Sequence, residues 1–205
     1  ICSQTLCILI LEKYGYECYN YVRIFLEVFN MSTKNSSKHV QKIVLTAFFA
    51  AITFVFTAYL HIPTGSGYTH AGDGIIYLAA SILPMPYAVA AGVIGGSLAD
   101  GLSGYAVWIP ATAVIKGLTA LFFSNKGEKI ITIRNIIGVI PSLIVCIAGY
   151  WLYEGIVVTG EISKASLIAA FTQTPSYFIQ IIASTILYIA AGKALDKINF
   201  KKKLT

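Results

Sequence analysis

Four ionisable side chains stand inside or beside sequence that otherwise reads as hydrocarbon-spanning. His70 and Asp73 lie three residues apart where one apolar run begins, Asp100 lies near the end of another, and Lys116 lies within a third. Ionisable groups so placed mark a substrate or ion path. His70 and Asp73 share the start of a predicted helix and can face one small volume, although a carboxylate there also suits the positive end of the helix dipole. Asp100 and Lys116 can pair across neighbouring helices, with Lys116 then either a buried counter-ion or a ligand contact. Glu154 sits at another helix end. Tyr68, Tyr105, Trp108 and Tyr177 offer flat faces for a ring, a role that competes with anchoring at a membrane interface. Gln173 and Gln180 flank Pro175 and can orient a polar ring, Gln180 the more pointedly because it lies inside an apolar span. This set suits recognition of a small polar ring and not chemistry upon it. No nucleophile elbow, HExxH, P-loop or CxxC occurs, so no catalytic residue is assigned. A metal held by His61, His70 and Asp73 would draw two ligands from a Gly-rich loop, and no metal site is expected.

The elements that must carry these groups belong to a membrane protein. Of 205 residues 57% are apolar and only 12% charged, with a mean hydropathy of +0.74, whereas soluble domains carry about 25% charged residues. The net charge of +6 arises from short Lys and Arg clusters beside apolar runs. Such clusters set topology and meet lipid head groups, and nucleic acid is not expected as a partner. The four cysteines have no metal-ligand spacing, and no disulfide is inferred.

Residues 1–30 begin with Ile and mix charges into apolar sequence without a clean span. The first Met is Met31, and Leu26-Glu27-Val28 is compatible with codons for a bacterial ribosome-binding site, so residues 1–30 read as a translated upstream region and residues 31–42 as a basic cytoplasmic leader. Six spans are expected over residues 43–205: Ile43–Leu60, Asp73–Leu83, Tyr87–Leu102, Ala106 or Pro110 to Phe123, Asn135–Tyr153 and Pro175–Gly192, with a short helix over Ala165–Thr172. His61–Thr69, rich in Pro and Gly, reads as a loop. Helix three carries two small-residue stripes, Ala88/Gly92/Gly96 and Ala91/Gly95/Ala99, so other helices can crowd it on two sides. The Lys and Arg clusters before helix one, between helices four and five, and after helix six fall on one side, which places both termini in the cytoplasm. His70, Asp73, Asp100, Trp108 and Glu154 then converge on the outer face. The expected fold is an all-α bundle of six transmembrane helices.

The residues also carry a resemblance. Ala47-x-x-x-Ala51 in the first helix, His70-Ala71-Gly72-Asp73, and Ala99-Asp100-Gly101-Leu102-Ser103-Gly104-Tyr105 followed by Ile115-Lys116-Gly117-Leu118 resemble the substrate-binding S component of energy-coupling factor (ECF) vitamin transporters, over essentially Met31 to the C-terminus. The resemblance implies a multi-pass protein of the bacterial cell membrane that binds a vitamin near the outer face. It also implies partners: a transmembrane coupling subunit, met by Ala47, Ala50 and Ala51, and two cytosolic ATPases. ATP is then used by the partners, and no cofactor is expected in this chain. Among such proteins the chain is most similar to those assigned to hydroxymethylpyrimidine or pyridoxine. A stand-alone channel or secondary carrier is the alternative, but such folds show internal repeats and none is found. A membrane scaffold would not need Asp100 and Lys116.

Overall fold

The computed structural model describes residues 38–64, 67–158, 160 and 163–204. The upstream segment and all of the leader before residue 38 lie outside the described residues. The chain divides into two compact units, Ile1–Lys42 and Ile43–Thr205, of which the second contains all but the first turn of helix α1 and every later element.

Helix α1, Lys38–Ala58, leads into a β-hairpin of β1, His61–Thr64, and β2, Gly67–His70, and then into α2, Asp73–Ile82, and α3, Met85–Leu102. A 3-10 turn at Ala106–Trp108 opens α4, Ile109–Leu121; α5, Ile133–Ile137, and α6, Val139–Tyr153, come next, extended by a π turn at Glu154–Val158. The chain closes with α7, Lys164–Phe171, α8, Thr174–Lys197, and α9, Phe200–Leu204. Three of these segments are long and apolar enough to cross a membrane: Lys38–Ala58, Ile133–Val158 and Thr174–Lys197. Large apolar side chains such as Ile144, Ile179, Ile182 and Ile186 are exposed on them, as lipid-facing residues are.

The stretch read as an irregular loop is an antiparallel ladder, with His61 opposite His70 and Pro63 opposite Tyr68. Pro63 is tolerated because a two-stranded hairpin has free edges on both sides. The fifth span, expected over Asn135–Tyr153, begins at Ile133, is interrupted at Gly138 and runs on through the π turn that starts at Glu154.

The small-residue stripes of α3 do what their spacing predicts. A Cβ on Gly95 would meet the carbonyl oxygen of Ala50 in α1 at 2.5 Å, and one on Gly96 would meet Thr112 in α4 at 2.9 Å. Removal of the side chain is what lets both helices approach the same backbone. Against this core lies α2, whose ten residues are all buried. At 1.5 Å per residue it is about 15 Å long, roughly half the hydrocarbon thickness of a bilayer.

Candidate functional site

Helix ends and the hairpin converge to enclose a cavity. It is lined by Tyr68 and His70 from β2, Asp100 from the end of α3, Trp108 and Thr112 from the start of α4, Tyr150 from the end of α6, and Gln173, Tyr177 and Gln180 around the start of α8, with Thr64 and Gly67 near the hairpin tip. Its accessible volume is about 30 Å³, room for water and not yet for a ring. Two hydrogen bonds seat the hairpin. The Tyr68 hydroxyl donates to Asp100 Oδ1, and the Thr69 hydroxyl donates to the carbonyl of Ser176 at 2.9 Å.

Aromatic faces make most of the wall. Tyr150 and Tyr177 stack at 5.5 Å and 17°, and Trp108 meets Tyr150 edge-on at 5.8 Å. Such faces accept a flat ring or a cation without demanding a fixed hydrogen-bond pattern. The polar groups on the wall are unequally engaged. His70 Nδ1 accepts the Gly72 amide N–H at 3.1 Å, which an imidazole can do only when that nitrogen is unprotonated. Burial, reinforced by the nearby Lys116 ammonium, pushes the imidazole down to about 3, so it is neutral. Asp100 is buried, and its second oxygen, Oδ2, makes no hydrogen bond. The neighbouring Thr112 hydroxyl and Tyr150 Oη share a hydrogen bond at 3.0 Å in which either can donate.

Beneath the cavity the Lys116 ammonium lies 2.6 Å from Asp73 Oδ1, and Gln180 Nε2 donates to Asp73 Oδ2 at 2.7 Å. Both members of the pair are fully buried. The expected Asp100–Lys116 partnership is therefore replaced by Asp73–Lys116. The lysine stem passes Gly96, where only 3.3 Å separates its Cγ from a hypothetical Cβ, and its ammonium turns to α2 instead of climbing to the end of α3. Asp73 is also the acidic residue in the first turn of α2, so the helix dipole and the ion pair favour the same carboxylate.

Of the residues singled out from sequence, Tyr68, His70, Asp100, Trp108, Gln173, Tyr177 and Gln180 line the cavity, while Asp73 and Lys116 lie outside the lining and reach it through Gln180. Tyr105 lies outside the lining and packs on Tyr68 at 4.5 Å. Glu154 is buried and close enough to act on Tyr177 electrostatically, without lining the cavity. Thr112 and Tyr150 were not anticipated. Each falls one helical turn from a recognisably placed residue, Thr112 before Lys116 and Tyr150 after Cys146, so the i, i+4 rule was the available signal. Among the described residues no group of His, Cys, Asp and Glu could hold a metal ion.

The family model of the ECF-type riboflavin transporter S component matches residues 37–197. The chain belongs to this family. Comparison with curated proteins returned no match. The chain is thus the substrate-binding subunit of an ECF transporter and a multi-pass membrane protein, as its apolar helices also require.

In this S component the alanine stripe of α1 is divided. Ala50 is buried against Gly95 of α3, whereas Ala47 and Ala51 are exposed. They line a shallow apolar groove of about 680 Å³ between α1 and α3, with Phe54, Tyr87, Ala90 and Ile94 along its sides.

Proposed function

We propose that this S component captures a water-soluble vitamin or precursor with a single flat ring, of hydroxymethylpyrimidine or pyridoxine type, in the cavity beneath the hairpin. The bundle has six spans with both termini in the cytoplasm, so that the hairpin faces outward. The observation that carries this reading is the enclosure itself: one carboxylate, two amides and a neutral imidazole set among four aromatic rings, with little spare volume. Such a wall suits a compact ring, whose admission requires the hairpin to shift, better than the three fused rings and long side chain of riboflavin, the vitamin in the family's description. Asp73 and Lys116 act on the site from outside its lining, by fixing Gln180. The exposed half of the alanine stripe, Ala47 and Ala51, is the contact for a transmembrane coupling subunit that works with two cytosolic ATPases, and Ala50 acts through helix packing.

The test is titration of the purified chain with hydroxymethylpyrimidine, pyridoxine and riboflavin, read by tryptophan fluorescence, since Trp108 is in the wall. A single-ring vitamin is expected to bind and riboflavin to bind more weakly or not at all; tighter riboflavin binding would refute the proposal. In cells supplied with the coupling module, Ala51→Trp is expected to abolish uptake while leaving that titration unchanged, because bulk on the stripe blocks a neighbouring helix.

A further inference from the structure

Among the described residues the pocket wall carries one carboxylate, that of Asp100, and no lysine or arginine. Asp100 Oδ2 is buried and lacks a hydrogen bond, and a buried carboxylate oxygen left unpaired costs stability until a donor arrives. Gln180 has committed its amide nitrogen to Asp73 and, at 3.8 Å, to Cys146 Sγ, which leaves its amide oxygen as the group it can still offer. His70 Nδ1 accepts from Gly72, so the neutral ring carries its proton on Nε2. The buried ammonium beneath the cavity, that of Lys116, is paired with Asp73 at 2.6 Å. Glu154, buried beside Tyr177, adds a second carboxylate to the same end of the bundle. The aromatic faces favour an electron-poor ring over an anion, although one of them, Tyr150, already has the Lys116 ammonium 5.3 Å from its centroid.

We propose that Asp100 makes this pocket selective for an aminated nitrogen heterocycle, whose amino N–H donates to Oδ2, and against the deaminated or phosphorylated form of the same ring. The inference rests on the single-ring reading above and adds to it the chemical class of the ligand. An amino group supplies the missing donor. A carbonyl in the same place sets lone pairs against lone pairs, and a phosphate ester brings about −1.5 to −2 charges beside Asp100, where the nearby ammonium of Lys116 is already paired with Asp73. Sites built around one buried hydrogen bond discriminate strongly against analogues that cannot make it.

The experiment measures affinities of the purified full chain in detergent for hydroxymethylpyrimidine, its oxo counterpart in which the amino group is replaced by carbonyl, and its phosphate ester, alongside riboflavin. The amino form is expected to bind at least about tenfold more tightly than the oxo form, and the phosphate ester not to compete. Asp100→Asn is expected to lose about tenfold or more for the amino ring and to hold or gain affinity for the oxo ring, toward which its amide can turn an N–H. Equal affinity of the wild-type chain for the amino and oxo rings would overturn the proposal, and so would an equal loss for both on Asp100→Asn. Should Asp100→Asn fail to fold, the wild-type amino-to-oxo ratio decides alone. Binding of riboflavin with no binding by any pyrimidine would overturn the single-ring reading, and this inference with it.

Discussion

Two polar clusters sit at opposite ends of α2, and they are built to opposite standards. At the end away from the hairpin, Asn135 is fully buried and its amide nitrogen is held by Ser81 Oγ, the Ser124 carbonyl and the Ile130 carbonyl at 3.0–3.1 Å, while its amide oxygen accepts the Ser124 N–H at 2.9 Å. Ser81 in turn donates to the Tyr77 carbonyl and meets Tyr188 Oη, and Asp196 accepts from Ile130 N–H and Ile131 N–H with one oxygen each. At the hairpin end Asp100 has one oxygen engaged and one not. The first cluster only has to hold a connection between helices, and saturation serves that. The second retains capacity that the protein does not itself use, which is how a receiving site differs from a brace.

The comparison breaks most visibly at the ion pair behind Gln180, which belongs to the holding class despite lying next to the cavity. Lys116→Met leaves the Asp73 carboxylate buried without its counter-charge and is expected to cost about 3–5 kcal/mol, seen as a large fall in ligand-free melting temperature; Asp73→Asn combined with it should recover most of the loss. A single variant that melts like the wild type would remove the pair from the list of braces. Next comes Asn135→Ala, expected to cost about 1–3 kcal/mol by stranding several buried groups. Ligand affinity measured below its melting point should stay at the wild-type value, and weakened binding there would mean that the two ends are coupled. The smallest readout is the pH slope over the first pH unit or so below neutrality. His70 is neutral when folded, with its ionisation pushed from the usual 6.5 down to about 3. The unfolded chain therefore takes up a proton that the folded chain refuses, and stability present above about pH 6.5 falls as pH drops toward 3, by about 1.4 kcal/mol per unit. Thermal unfolding of His70→Gln should show that slope reduced between about pH 6.5 and 5, within the range set by the two ionisation values; an unchanged slope would assign the acid sensitivity to other groups.

The sequence made the crowding of α3 legible, because alanine and glycine at i, i+4 leave few other uses for a membrane helix face. It also brought forward seven residues that line the cavity, Asp100 and Gln180 among them because polar groups are conspicuous in apolar runs. Partner choice was another matter. Asp73 and Asp100 both stand at helix ends in the chain, and nothing local says that a ten-residue helix sets the first of them level with an ammonium two turns inside α4, whereas the other stays with the hairpin. The hairpin was hidden for a related reason. Pro63, Gly65 and Gly67 are turn formers that mask a four-residue ladder, and the contacts holding it down, Tyr68 to Asp100 and Thr69 to Ser176, span 32 and 107 residues. Short-range periodicity cannot report such distances.

The shortness of α2 has a consequence for how the chain is made. A ten-residue segment led by an aspartate falls far short of the roughly 20 apolar residues that partition into a bilayer unaided, and a carboxylate at depth adds a penalty of about 2.5–3.5 kcal/mol. During biosynthesis α2 is therefore expected to enter lipid together with α3, to which Leu83 and Pro84 join it directly. Its charge stays exposed to solvent or insertion machinery until Lys116 has been synthesised, and the Gln180 contact must wait another 64 residues, from 116 to 180. Final seating of the innermost helix thus belongs to the end of translation, after the last long helix has left the ribosome.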